Sequence, residues 1–312
     1  MKKVNHYENF PVASKILPPH VRQAVVAIYH FARTADDFAD EPQFAPDSRR
    51  IALLNDFQNA LKKIENRQND FDFSEPFYQS IFQNLNLAIQ KHSLPIQPFC
   101  DLMSAFLQDV TKKRYQNEAQ VLAYARYSAV PVGVLMLELF QVATKENLRR
   151  SADICTALQL TNFCQDVAID AQKNRIYLPQ DEMADFGVLE SDILQGKITP
   201  AFRALMKKQV ARARHFAQNG AALVFNLPER FGFEIRLTIQ GVLRILDKIE
   251  NVDFDVFHHR PTLKKSDFLR MFGRSLFQKN FRFTVEKRKN FLSAHCCLLL
   301  FYFCLLHFLF WV

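Results

Sequence analysis

Glycine is scarce in this chain, seven among 312 residues, and no G-x-G-x-x-G can be drawn through them. That excludes a Rossmann dinucleotide site, which needs such a loop between a strand and a helix. Strict alternation of apolar and polar residues is hard to find, so half-buried strands are not expected. The six cysteines, Cys100, Cys155, Cys164, Cys296, Cys297 and Cys304, form no C-x-x-C and no four-ligand zinc pattern of paired Cys and His spacings. Neither a zinc site nor a disulfide framework follows, and His258-His259 lies in a polar connection without partner spacing. The start, M-K-K-V-N-H-Y-E-N-F, turns polar directly after its basic pair, unlike a secretory signal, and a reduced, cytoplasmic setting is expected. No basic stripe interleaved with aromatics appears, so no nucleic-acid partner is expected.

What is present is apolar and helical in period. Hydrophobic residues make up 49% of the chain, enough for a sizeable core, and they recur at spacings of three and four. The expectation is an all-α fold. Pro18-Pro19 ends an N-terminal arm, and helices are expected over His20–Glu41, from an Asp47-Ser48 cap to Asn66, and from Ser74 with Pro76. Others are expected over Pro95–Val110, over Glu118–Val142 with a kink at Pro131 and Gly133, and over Asn147–Ala171. Thr199-Pro200 should cap a helix running towards Phe225, and a last one spans Glu229–Ile249. No internal repeat or linker interrupts residues 1–280, which read as one domain.

Residues 281–312 differ in composition. The last 22 residues, from Phe291 to Val312, carry no charge and follow Lys287-Arg288-Lys289. As a helix they would be about 33 Å long, close to the ~30 Å hydrocarbon core of a bilayer. This reads as a C-terminal membrane anchor with its basic flank in the cytoplasm; the alternatives are a shifted reading frame or a hydrophobic helix packed on the domain. The formal net charge of +8 suits an anionic substrate or membrane surface, and solvated Lys and Arg explain it equally well. No residue pattern specifies an oligomeric state.

Two stretches carry chemistry. In Y29-H-F-A-R-T-A-D-D-F-A-D-E, residues Tyr29, Arg33, Asp36 and Asp40 share one helix face by their spacing, with Asp37 and Glu41 in the next row. Like charges four apart cost an isolated helix roughly 0.2–0.5 kcal/mol per pair. Taken alone the stretch suits a solvated helix end. Against that, acids oppose the macrodipole at a helix C-terminus, and the flanking apolar residues point to burial, where four acids need a cation or a polar cavity. In Q159-L-T-N-F-C-Q-D-V-A-I-D, Gln159, Asn162, Asp166 and Asp170 again share a face, followed by Lys173, Arg175 and Tyr177. Mg²⁺ takes oxygen ligands, commonly one or two carboxylates with substrate phosphates. Opposed acid-bearing helices could therefore hold Mg²⁺ around a diphosphate, with Arg33, Lys173 and Arg175 neutralising the remainder.

At these residues the chain resembles the squalene/phytoene synthase family, trans-isoprenoid diphosphate synthases that join or rearrange prenyl units head to head. The resemblance covers roughly residues 5 to 280. It rests on the two acid stretches, on Y124-A-R-Y-S-A-V-P-V-G and on R175-I-Y-L-P. It implies the all-α isoprenoid synthase bundle with a central cavity. Carried over, it implies Mg²⁺ binding by Asp36, Asp40, Asn162, Asp166 and Asp170, and that Arg33, Gln159, Arg175 and Tyr177 contact or position the diphosphate, to which charge adds Lys173 as a substrate-binding candidate. Phe10, Tyr29 and Tyr124 would line the hydrocarbon cavity.

Within the family, H6-Y-E-N-F-P-V-A-S and the N-F-C-Q-D form of the second motif look most like bacterial hydroxysqualene synthases of hopanoid biosynthesis. Tyr7-Glu8-Asn9 stands where phytoene and squalene synthases often carry Ser-Lys-Ser, a lost lysine and a gained acid in the arm that helps hold phosphate. A reaction on presqualene diphosphate needs one diphosphate site only. The activity implied is Mg²⁺-dependent release of its diphosphate, rearrangement of a cyclopropylcarbinyl cation and capture by water, without NADPH. The alternatives are head-to-head condensation of two prenyl diphosphates, and a non-catalytic prenyl-diphosphate-binding subunit at a membrane.

Overall fold

The computed structural model describes residues 18–264, 266–268 and 270–271. Phe10, the N-terminal arm and the 281–312 tail lie outside the described residues. Among the described residues helices alone build the architecture, and the only β-type pairing is an isolated bridge between Arg114 and Ile176. The all-α expectation holds.

α1 spans Pro19–Asp40. Pro19 suits the first turn, where its missing N–H costs nothing, and Pro42 follows the extended Glu41 that stops the helix. Val21, Ala24, Ala27, Ile28, Phe31, Ala35 and Phe38 recur at three and four along α1 and are all buried. α2 (Asp47–Glu65), α3 (Pro76–His92) and α4 (Gln97–Thr111) pack around it. Phe31 lies edge-on to Phe82 and Phe99 at 5.8 and 5.6 Å, and Phe57 to Phe82 at 4.8 Å. Burying one such ring is worth roughly 1.5–3 kcal/mol, so this aromatic core fixes the helix that carries the first acid row.

The second half is organised around α7 (Lys145–Gln165), which α5 (Glu118–Ser128), α6 (Val130–Leu139), α11 (Pro200–Gly220) and α12 (Glu229–Asn251) contact. Thr144 and Thr199 cap α7 and α11 by accepting from the amides of Asn147 and Phe202. Gly220 lets α11 approach α7 closely: a Cβ there would stand 2.7 Å from the Arg150 carbonyl and 2.5 Å from Ile154 Cγ1. Glu118–Leu139 has the length and hydropathy of a membrane span; as α5 and α6 it packs on α4 and α7.

Several boundaries differ from expectation. The Glu118–Val142 helix is two helices parted at Ala129, because Pro131 opens the second in its first turn. The Asn147–Ala171 helix parts at Asp166, and α8 (Val167–Gln172) follows. Asp47 is the first helical residue rather than a cap, Glu75 takes the capping position expected of Ser74, and α4 starts at Gln97. α11 tightens into a 3-10 turn over Ala221–Phe225. Two short helices escaped the sequence reading, α9 (Gln180–Phe186) and α10 (Glu190–Leu194), too short for a periodic signal.

Candidate active site

The first acid row sits at the C-terminal end of α1. Asp36 is 8% exposed, whereas Asp37 is half-buried beside it. Arg33 reaches both, at 3.3 Å to Asp36 and 2.6 Å to Asp37. Tyr29 stands one turn earlier, half-buried and within electrostatic reach of Arg33.

The second row lies on α7 and α8. Gln159 and Asn162 are buried on α7, Asp166 sits at the junction, and Asp170 is on α8. The break does not destroy the shared face, because the Asp166 amide still bonds the Asn162 carbonyl and the Asp170 amide the Asp166 carbonyl, each at 2.9 Å. Asn162 donates its amide to Asp166 Oδ2 at 3.2 Å.

The segment after α8 joins the two rows. Lys173 Nζ is 2.6 Å and an Arg175 guanidinium nitrogen 2.8 Å from the Asp40 carboxylate. Backbone bonds hold this segment against the exit of α4: Ile176 N to Lys113 O at 3.0 Å, Gln180 N to Tyr115 O at 2.9 Å, and Asp181 N to Gln116 O at 3.0 Å. Both acid rows thus meet at one polar end of the bundle.

An aromatic group lies behind it. Tyr177 stacks on Phe163 at 3.9 Å and 11° and lies 5.5 Å from Tyr124 and 5.4 Å from Tyr115. Tyr124 and Tyr177 are buried, and burial raises both phenols well above their ordinary range. Neutral aromatic faces next to a polar clamp can stabilise a nearby cation by their quadrupoles.

The carboxylates are not electrostatically alike. Burial and the neighbouring Asp40 raise Asp36 well above the usual range, with Arg33 only partly offsetting them. Burial would raise Asp40 too, but Arg175 and Lys173 outweigh it and hold it at about 2. Burial pushes Asp170 up to about 8, against the pull of Arg175. Burial likewise raises Asp166, partly offset by Arg260.

Two residues of the site were missed from sequence. Arg260 binds Asp166 in a two-pronged pair, Nε to Oδ1 at 2.6 Å and the terminal nitrogen to Oδ2 at 3.1 Å. It follows His258-His259 in a connection whose composition gave no sign of it. Asp109 is 5% exposed on α4, accepting from the Tyr124 hydroxyl at 2.7 Å and, at a long 3.4 Å, from the Tyr177 hydroxyl. Its signal was available: a lone acid on the stripe of Leu102, Phe106 and Val110.

As to a metal, no three His, Cys, Asp or Glu side chains converge as a ready-made cage among the described residues, and Lys173, Arg175 and Arg260 are paired with Asp40 and Asp166. The donor set nonetheless fits Mg²⁺. It consists of hard oxygens, and Asp36 and Asp170 are acids whose charge the local cations do not balance.

The chain matches the model of the family described as squalene/phytoene synthase over residues 3–267. Phytoene synthase 1, chloroplastic, of Solanum lycopersicum is 32% identical over 265 residues, 83% of this chain and 62% of that protein. Phytoene synthase 2, chloroplastic, of the same plant is 31% identical over 83% of this chain and 82% of its own length. The chain thus spans between about three fifths and four fifths of these relatives. Among solved structures, squalene synthase HpnC from Alicyclobacillus acidocaldarius superimposes with a TM-score of 0.71 at 33% identity, covering 80% of this chain and 90% of that one. A dehydrosqualene synthase shares the fold, with a TM-score of 0.70 at 20% identity over 84% of this chain and 88% of its own. With the motifs assembled as described, the chain belongs to the squalene/phytoene synthase family, enzymes that act on prenyl diphosphates.

Proposed function

We propose that this protein converts presqualene diphosphate to hydroxysqualene with release of diphosphate. The observation that carries the reading is the meeting of both acid rows at one end of the bundle, spanned by Lys173 and Arg175 on Asp40 and backed by the stacked Phe163 and Tyr177 with Tyr124 tilted beside them.

Asp36, Asp40, Asn162, Asp166 and Asp170 would hold Mg²⁺, which when bound supplies Lewis-acid withdrawal of charge onto the leaving group. Arg33, Lys173, Arg175 and Arg260 bind and orient the diphosphate oxygens, exchanging carboxylate partners for phosphate ones of the same charge. Gln159, on α7 one turn before Asn162, adds a neutral amide to that end. Tyr29, Tyr124 and Tyr177 form the wall that excludes water from the hydrocarbon and faces the carbocation, and the family resemblance adds Phe10 to that role. Tyr7-Glu8-Asn9 in the arm, an acid where a phosphate-holding lysine is often found, supports a one-substrate reaction. The 33% identity to squalene synthase HpnC over 90% of that structure is consistent with squalene chemistry.

The experiment supplies presqualene diphosphate and Mg²⁺ without nicotinamide. Hydroxysqualene and diphosphate are the expected products; squalene formed only on addition of NADPH overturns the reading. A second reading, head-to-head condensation of two prenyl diphosphates, is favoured by the phytoene synthases among the relatives, and turnover of farnesyl or geranylgeranyl diphosphate alone would establish it. We place the protein on the cytoplasmic face of a membrane through its uncharged C-terminal segment, although relatives are chloroplastic by name.

A further inference from the structure

Asp109 is the one acid of the site on neither acid row. A carboxylate buried in an apolar stripe is costly unless it is hydrogen-bonded, and this one is bonded in two directions. Its side chain accepts from Tyr124 at 2.7 Å and Tyr177 at 3.4 Å. Its main-chain carbonyl accepts from Lys113 Nζ at 2.7 Å and from the same Arg175 guanidinium nitrogen, at 3.2 Å, that grips Asp40. The residue therefore stands at the junction between the aromatic group and the diphosphate clamp.

We infer that Asp109 is a positioning residue for the carbon-skeleton half of the reaction: through Tyr124 and Tyr177 it sets the aromatic floor over which positive charge forms. This rests on the reading that the chain ionises a prenyl diphosphate. Both phenols spend their protons on Asp109, so their hydroxyls are fixed and neither is left to reorient towards a forming cation. The Tyr177 ring is then clamped from both sides, by Phe163 stacked on its face and by its hydroxyl contact to Asp109. The ionised carboxylate also adds a fixed negative charge behind the rings, oriented before the substrate arrives, which is where preorganised electrostatics act most strongly. Arg175 is hydrogen-bonded through the Asp109 main chain and to Asp40, so an isosteric change of the Asp109 side chain keeps those bonds and removes only its charge from Arg175.

The test compares wild type, Asp109→Asn, Tyr124→Phe and the double variant, with steady-state turnover and with calorimetric binding of pyrophosphate plus Mg²⁺. Asp109→Asn should lower kcat by about 10- to 100-fold, the range for residues that orient a catalytic group, while KM and pyrophosphate affinity stay within about threefold of wild type. Asp109→Asn leaves one acceptor oxygen for two phenols, so adding Tyr124→Phe should slow it by less than Tyr124→Phe slows wild type. Wild-type turnover in Asp109→Asn, a loss confined to KM, or multiplicative losses in the double variant would each overturn the proposal. If Asp109→Asn fails to fold by circular dichroism, Tyr124→Phe and Tyr177→Phe take its place, and unchanged kcat in both overturns it. An inactive wild type removes the functional reading and this inference together; an active wild type with an unimpaired Asp109→Asn removes this inference alone.

Discussion

The clearest quantitative consequence concerns Asp170. Burial raises its carboxyl to about 8 from an ordinary 3.8, so between those values the folded protein holds a proton that the unfolded chain has released. A raised acid stabilises the fold where it is protonated, and that stability is lost as pH rises from the unfolded value through the folded one. One such proton changes the unfolding free energy by about 1.4 kcal/mol per pH unit. From pH 6 to pH 8 the metal-free protein should therefore lose ~2–3 kcal/mol through this one group, or about 5 °C of melting temperature for a domain of this size. The assay is thermal unfolding in chelator at pH 6, 7 and 8 for wild type and Asp170→Asn, which cannot titrate at this position. Other groups, including Glu234, which burial also raises to about 8, cancel in the difference. The wild type should lose stability relative to the variant as pH rises, and Mg²⁺ with pyrophosphate should flatten the difference by holding Asp170 ionised. Parallel curves for the two proteins in chelator would refute the account of Asp170 as a buried, under-compensated acid.

Two further outcomes are expected. Asp36→Asn should reduce turnover of presqualene diphosphate by at least about 100-fold, whereas Asp37→Asn, which weakens the half-buried pair with Arg33, should cost less than about tenfold; the reverse order would mean that the functional face of α1 is misassigned. Gly220→Ala should destabilise the fold by ~2–3 kcal/mol in urea titration and Gly133→Ala by less, because the new methyl at 220 meets the Arg150 carbonyl whereas at 133 it meets the movable Ser151 hydroxyl and Cys155 thiol. Equal losses would show that α7 shifts as readily as a side chain does.

Legibility in the sequence followed the type of interaction. The faces of α1 and α7 were readable because spacings of three and four survive into structure, even across the break at Asp166, where the amide bonds to the carbonyls four residues back persist. That acids at the wrong end of a helix need positive charge was anticipated; that Lys173 and Arg175, expected on the diphosphate, would meet Asp40 was not. Long-range partners without local rhythm were not readable. Arg260 reaches Asp166 across 94 residues, and nothing in its immediate surroundings distinguishes it from a solvated arginine. Asp109 did have a local mark, an acid in an apolar stripe, but a lone departure carries less weight than a row of four. Pro131 was recognised as a disturbance and underestimated, since a proline that would kink a long helix also makes a good first turn for a new one.

The segment bearing Lys173, Arg175 and Tyr177 is fastened to residues 113–116 by main-chain amides and carbonyls, and such bonds are indifferent to which side chains are attached. Register and chemistry are thereby separable in part of this stretch. Exposed Lys173 can therefore be exchanged without the loop losing its track, whereas Arg175 and Tyr177 are buried and their side chains also pin the segment to its neighbours.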